Sequence, residues 1–375
     1  MHNLDRTLIH DVRVFDGART REHVHVLVEG DCITAVRTGV PPRADAETDG
    51  AGRTLLPGLI DAHTHTFDGS LAEALRHGVT TELDMFCLPA NLHRQRRLAA
   101  ERDDVADLRS AGVLATAPGG HPSQLVTQMP EEFGDAVGPF DTITRPAEAA
   151  AFVAARIAEG SDYLKIVIDD GTTTGTSLPV LGRDTAAALV EEAHGAGLRV
   201  IAHAATAAEA ALALDAGADG LAHVWWATRP GDPSTEDLVH RAAAQGTFVV
   251  TTLAYIEALD AGRKTLLPHA EEATAALHSA GVPLLAGTDA TPFAPLHGEG
   301  MHRELELLTR AGLTPSQALS AATRVTALHF GLPDRGRIAP GLRADLLLVD
   351  GDPTDDITAT RAITDVWRRG VHHAR

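Results

Sequence analysis

Along the middle of the chain, two patterns of apolar and polar positions take turns. An Ala- and Glu-rich stretch with helical spacing ends in glycine, and a short, almost unbroken apolar run follows. The junctions read LRHG then VTTELDMF, LRSAG then VLATAP, EEAHGAG then LRVIAHA, LDAGADG then LAHVWW, AAAQG then TFVVTTLA, and LHSAG then VPLLAGTDA. Glycine in that place is the usual cap of a helix C-terminus, because it enters the left-handed region without a Cβ clash. Continuous Val, Ile and Leu runs mark strands buried on both faces, and their alternation with amphipathic helices predicts βα units around a parallel sheet. With LLPGLIDAHTH and SDYLKIVIDD added, the strands number eight. Eight such units over residues 57–332 predict an α/β fold of the TIM (β/α)8 type. An open doubly wound sheet is the alternative, but no GxGxxG opens the first helix.

The flanks follow a different period. Residues 1–56 contain alternating runs such as HVHVLVEG and DCITAVRTG. Residues 333–375 contain GRIAPGLRADLLLVDGDP and ITDVWRRG. Both read as hairpins and meanders. Neither end is long enough to build a core alone, so the expectation is one small β-sandwich made from both termini beside a distorted barrel.

Composition narrows the class of partner. The chain has 375 residues and a net charge of −19, with no basic stripe or run, which argues against a nucleic-acid partner. Two cysteines, Cys32 and Cys87, form neither a disulfide framework nor a CxxC metal site. The start, MHNLDRTLIHDV, lacks a basic-then-apolar signal pattern, and no apolar run approaches a membrane span. A cytoplasmic protein with no membrane partner is expected, acting on a small molecule. A homo-oligomer is compatible with all of this.

Candidate chemistry lies at the strand ends. In DAHTHTF, His63 and His65 are two apart at the end of an apolar strand, so both imidazoles face one side. Paired imidazoles suit a borderline ion such as zinc, but a hydrogen-bonded pair in a wet loop reads equally well from the motif alone. Lys165 lies in YLKIVI, His203 in VIAHA, His223 in GLAHVWW and Asp289 in LLAGTDA. Each has a plain alternative: a satisfied core histidine, a helix cap for Asp289, an outward-facing lysine. In a TIM barrel, however, all six sit at the C-terminal rim, where functional groups gather. Burying them together without a counter-ion would leave polar groups unpaired, at about 1–3 kcal/mol each.

These residues carry a resemblance. PGLIDAHTH, GVTT, LKI, VIAHA, GLAHV and GTDA, together with the tail ATRVTALHFGLPDRGRIAPGLRADLLLVDGDP, resemble the motifs of the amidohydrolase superfamily, in order, from Val12 to Asp352. The resemblance implies a distorted barrel with a small β-sandwich, and two divalent metal ions, with zinc the expected one. It implies that His63, His65 and Asp289 hold the first ion and His203 and His223 the second. Lys165, carboxylated by CO2 to a carbamate, bridges them. It further implies attack on a carbonyl by a metal-bridging hydroxide, with Asp289 shuttling the proton. Mononuclear deaminases of the superfamily follow the strand-five histidine with HxxE. Here the sequence is His203-Ala-Ala-Thr, which favours a binuclear hydrolase.

The motif set is most similar to prolidase-like and imidazolonepropionase-like members, which implies cleavage of an amide-type C–N bond in a dipeptide, N-acyl amino acid or cyclic amide. In the prolidase-like enzymes a GGH after strand three contacts the substrate carboxylate. PGGHPSQ puts His121 there, at the head of a long loop from Pro118 to Arg145. Of Trp225 and Trp226, which follow His223, strand geometry lets at most one face the pocket, and Trp225 is the expected one. Tyr255 at the end of strand seven is a further candidate substrate contact, as is Arg229, for a carboxylate. An ester, lactone or phosphoester hydrolase on the same centre stays open, as does a non-catalytic scaffold, although scaffold relatives usually lose ligands and none is missing here.

Overall fold

The computed structural model describes residues 6–124, 135–136, 138–262 and 265–374. From the N-terminus, β1 (Arg6–Phe15), β2 (Thr20–Glu29) and β3 (Cys32–Arg37) form an antiparallel meander. β4 (Ala46–Asp49) and β5 (Arg53–Pro57) then run parallel to β1.

Eight parallel strands follow. β6 (Leu59–Thr64), β7 (Val79–Asp84) and β8 (Asp107–Ser110) pair in that order. β9 (Leu164–Val167), β10 (Val200–His203), β11 (Gly220–Ala222), β12 (Phe248–Val250) and β13 (Leu284–Leu285) form a second parallel sheet, again in chain order. Helices lie between consecutive strands, for example Ser70–Arg76 between β6 and β7 and Ala207–Ala216 between β10 and β11. Every residue of β6, β7, β9, β11, β12 and β13 is buried, as unbroken apolar strands require when both faces are covered. Gly160, Gly217 and Gly246 cap helices in the left-handed conformation, as the junction pattern predicts.

Backbone hydrogen bonds link the two parallel sheets at both margins. At one, Ala62 donates to the Ala286 carbonyl at 3.0 Å and His65 to that of Ala290 at 3.0 Å. At the other, Ala115 donates to Lys165 at 2.8 Å and Val167 to Ala115 at 2.9 Å. An apolar cluster including Ile60, Leu83, Ile201, Phe248 and Leu285 draws on strands of both sheets.

The C-terminal strands β14 (Leu346–Asp350), β15 (Ile363–Arg368) and β16 (Val371–Ala374) return to the first sheet. β14 pairs antiparallel with β5, giving the order β16-β15-β14-β5-β1-β2-β3, with β4 beside β1. Both termini thus complete one eight-stranded sheet with an apolar cluster of its own, which includes Val12, Val26, Leu55, Leu348 and Trp367. Buried charges join this part to the parallel strands. Asp107 of β8 meets Arg335 Nη1 at 2.5 Å, Arg343 Nη1 at 3.0 Å and Arg368 Nη2 at 3.6 Å.

Strand three departs from the sequence reading. LRSAG is not a helix end, because Leu108, Arg109 and Ser110 lie in β8, and VLATAP contributes one isolated bridge, Ala115 to Ile166. Four residues with alternate burial do not separate a strand period from a helical one. Residues 125–134 and 137 of the long loop expected from Pro118 to Arg145 lie outside the described residues, as do residues 1–5 and 375 of the flanks. No helix among the described residues is long and apolar enough to cross a membrane.

Candidate active site

The ends of the parallel strands converge on one pocket. Its polar side is lined by His63, His65, His121, Lys165, Asp169, His203, His223 and Asp289, and its apolar side includes Phe86, Leu114, Val167, Trp226, Tyr255 and Leu259. The six residues expected to bind metal are therefore brought together. His63 Nε2 lies 3.3 Å from Asp289 Oδ1, His65 Nε2 lies 3.0 Å from the same oxygen, and His223 Nε2 lies 3.7 Å from Asp289 Oδ2. The rings of His63 and His223 stack at 4.8 Å, and those of His203 and His223 meet edge-on at 5.0 Å.

Local structure explains the placement. His63 belongs to β6 and turns the same way as His65, one residue past the strand end. Asp289 follows β13 with a backbone φ of +55°, a left-handed conformation rare outside glycine. It is held by its own N–H, which donates to the His63 carbonyl at 2.8 Å. The neighbouring Asp61 accepts bonds from the His63 N–H at 3.1 Å, the Thr288 N–H at 3.0 Å and the Thr288 hydroxyl at 2.6 Å. The strand bearing the two histidines and the turn bearing Asp289 are so tied at one point. His223 Nδ1 meets the Thr252 hydroxyl at 2.6 Å, which leaves Nε2 to face Asp289.

Burial sets the electrostatics. It lowers His63 to about 3, with Lys165 adding to the effect, and pushes His203 and His223 well below the usual imidazole range. For His65 burial acts downward too, but the Asp289 carboxylate prevails and raises it. Burial alone would raise Asp289, yet His63 and His223 hold it well below the carboxylate range. Lys165, 3% exposed, is lowered by burial to about 7.

The donor set fits divalent cations. Lys165 Nζ, His203 Nε2 and His63 Nδ1 are buried and have no hydrogen-bond partner among the described residues. Left alone, such groups cost about 1–3 kcal/mol each. Ligand-type atoms of His63, His223 and Asp289, all buried, lie within 4.8 Å of one another, and so do those of His121, Asp169 and His203, of which only Asp169 is fully buried.

Substrate-contact expectations fare unevenly. His121 lines the pocket, its ring stacked 5.2 Å from that of His203. Tyr255 lines it as well, but from the helix Leu253–Asp260 instead of a strand end. Trp225 is corrected: it is buried in the core with Nε1 3.4 Å from the Thr235 hydroxyl, and Trp226 faces the pocket. β11 ends at Ala222, so strand alternation no longer applies to the residues after it. Arg229 is corrected also. It is absent from the lining, and its guanidinium meets Asp170 at 3.0 Å. Asp169 was not anticipated, although it shares the parity of Lys165 along β9 and its extension, which is the signal that could have found it.

A model of the amidohydrolase family matches residues 54–372. An uncharacterised protein of Mycobacterium tuberculosis (strain ATCC 25618 / H37Rv) is 28% identical over 339 residues, 84% of either chain. The imidazolonepropionase of Paracoccus denitrificans (strain Pd 1222) is 29% identical over 349 residues, 82% of either chain. Among solved structures, a Xaa-Pro dipeptidase with methionine bound in its active site shares the fold with a TM-score of 0.84 at 22% identity, over 99% of this chain and 100% of that one.

Proposed function

The chain belongs to the amidohydrolase family and is a hydrolase, and from that premise we propose that it cleaves an amide-type C–N bond of a small molecule bound in the pocket. In this reading His63, His65 and Asp289 hold one divalent ion and His203 and His223 a second, with zinc the expected metal. Carboxylated Lys165 would help hold both: its neutral Nζ would form a bond to the carbon of CO2, one C=O would become a carboxylate-like C–O⁻, and a proton would leave to solvent. The observation that carries the reading is Lys165 itself, a buried amine without a hydrogen-bond partner among the described residues, lowered to about 7 and facing the same pocket as five histidines. A neutral amine is the form that adds to CO2. The names imidazolonepropionase and Xaa-Pro dipeptidase carried by similar proteins support the choice of a C–N bond.

When bound, such ions acidify a water to near-neutral pH and polarise the substrate carbonyl. The chain's own part is proton handling and orientation. Asp289 reaches three imidazoles through its two oxygens, and it takes the nucleophile's proton and passes it to the leaving nitrogen. Trp226, Tyr255 and Phe86 offer an apolar wall for the non-reacting part of the substrate.

The architecture is read in the same way. Residues 57–332 form the catalytic barrel, closed where the isolated bridges Thr64–Ala290 and Ala115–Ile166 lie, and residues 1–56 with 333–375 form the β-sandwich.

Metal analysis, with a panel of dipeptides, N-acyl amino acids, cyclic amides, lactones and phosphoesters, tests the reading. Two equivalents of divalent metal and turnover confined to amides are expected. Lys165→Ala should lose both, with partial rescue by short carboxylic acids. Full metal content and full turnover in Lys165→Ala, or turnover of lactones alone by the unaltered protein, would overturn it.

A further inference from the structure

In the hydrolase reading the two ions are held unequally. The first has two imidazoles and the carboxylate of Asp289. The second has two imidazoles, His203 and His223, and no carboxylate of its own. Asp169 stands beside that second pair. It is 5% exposed, lies four residues beyond Lys165 and lines the same pocket. The pairing of β9 with β10 carries on past Val167, where the Ile168 N–H donates to the His203 carbonyl at 3.1 Å. Alternation along that extension turns Asp169 to the side of Lys165.

The spacing is that of two donors on one ion. Asp169 Oδ2 lies 3.7 Å from His203 Nε2, too far for a normal hydrogen bond. That nitrogen is a buried atom with no hydrogen-bond partner among the described residues. Two donors on a tetrahedral ion with bonds of about 2.0–2.2 Å stand about 3.3–3.6 Å apart. Asp289 faces His65, His63 and His223 at 3.0, 3.3 and 3.7 Å, a matching range. No arginine competes for Asp169, since Arg229 is absent from the lining and pairs with Asp170. His121 Nδ1 lies 3.5 Å from the same oxygen, but Gln124 Nε2 already meets it at 3.1 Å, so His121 is left to the substrate.

The surroundings hold this approach in place. Glu209, on the helix Ala207–Ala216 and 5% exposed, accepts the Asp170 N–H at 3.0 Å through one oxygen. Its other oxygen accepts the N–H groups of Ala205 at 2.9 Å and Thr206 at 2.8 Å. One carboxylate thus ties the residue after Asp169 to the residues just beyond His203. Asp169 Oδ1 accepts the Gly171 N–H at 2.8 Å, which fixes the side chain with Oδ2 toward His203. Outer hydrogen bonds that orient a donor in this way are a feature of metal sites.

The geometry points to Asp169 as a further ligand of the second divalent ion, through Oδ2, beside His203 and His223. Each ion then has two imidazoles and one carboxylate of its own, with Lys165 shared between them. The added anion offsets part of the cost of burying a dication. The assignment rests on the two-ion hydrolase reading, but its test counts metal and needs no turnover.

Zinc content and affinity, measured by mass spectrometry and chelator competition, are compared for the unaltered protein and Asp169→Ala, with folding checked by circular dichroism. The unaltered protein should take up two equivalents. Asp169→Ala should hold one as before and the other more than about 100-fold more weakly, beyond the roughly 10–100-fold expected of a residue that only supports a ligand. Asp169→Cys loaded with cobalt(II) should show a thiolate-to-metal charge-transfer band that the unaltered protein lacks, which a merely structural role would not produce. Weakening of about 100-fold or less in folded Asp169→Ala, or no such band in Asp169→Cys, overturns the assignment and leaves the hydrolase reading in place. If Asp169→Ala does not fold, the cobalt spectrum of Asp169→Cys decides. Loss of one equivalent together with the band, in a protein that turns over no amide, sinks the hydrolase reading and leaves Asp169 a ligand.

Discussion

Asp289 concentrates three demands in one side chain: it faces His63, His65 and His223, stays ionised while buried, and holds a φ of +55°. Such a conformation costs about 1–3 kcal/mol and persists only where its surroundings over-determine it. Asp289→Asn keeps the shape and one coordinating oxygen but cannot take a proton. Turnover should fall by about 10² or more with at least one metal retained, as read by steady-state kinetics beside metal analysis. Near-normal turnover would remove Asp289 from proton transfer. His121 stands on different ground, stacked on His203 and facing Asp169. If it orients substrate, His121→Ala leaves metal content unchanged and lowers kcat/KM by about 10–100-fold, as for one lost polar contact. Loss of a metal equivalent would make it a ligand instead.

At the scale of elements, the site depends on how closely two backbones approach. A Cβ built on Gly287 would come within 2.5 Å of Val250 Cγ1 and 2.9 Å of the His63 nitrogen. Gly287→Ala must therefore push the strand-eight turn away from β6 and separate Asp289 from the histidines. Metal content should drop although no ligand is changed. Full occupancy in the variant would show that the turn accommodates the methyl group. Glu304, on the helix Glu299–Arg310, fixes the segment after β12: it accepts the Ala254 N–H at 2.7 Å and the Thr251 hydroxyl. Burial raises this carboxyl to about 7. A raised acid contributes stability that is whole below the ordinary glutamate range and is lost as pH rises through about 7. Urea unfolding should show wild type losing a few kcal/mol between about pH 5 and pH 8, and Glu304→Gln losing less. Equal losses in both would place the pH dependence elsewhere.

Over the whole molecule, the joint between the terminal sheet and the parallel strands is ionic and buried. Asp107 faces Arg335, Arg343 and Arg368, which are 4%, 14% and 1% exposed in the order residue, side chain, side chain. Burial would raise Asp107, but Arg335 and Arg343 hold it below the usual carboxylate range. Asp107→Ala removes the carboxylate shared by three guanidinium groups, which keep Asp334 or Asp345, and should cost about 3–5 kcal/mol in urea denaturation. A loss under about 1 kcal/mol would mean that Asp345 and Asp334, already paired with Arg343 and Arg335, suffice to hold the arginines.

Much of this was legible in the chain. The alternation of glycine-capped helices with buried apolar strands is set by periods of a few residues, so the parallel strands could be read directly. HTH, the lysine of LKI, the histidines of VIAHA and GLAHV and the aspartate of GTDA stand out because polar groups interrupt those apolar runs. What the sequence left open lies where the period ends. DLRS was too short to declare itself a strand, and beyond Ala222 the chain leaves β geometry, so the side facing the pocket passed from Trp225 to Trp226. The pairing of Arg229 with Asp170, and of Asp107 with residues more than 200 positions away, depends on which surfaces meet after folding. Local propensity decides elements because their energies arise between near neighbours. Which charge faces which is decided by long-range packing, and so the six candidate ligands could be read one strand at a time, whereas the place of Asp169 between His121 and His203 emerged only when β9, β10 and the His121 turn came together.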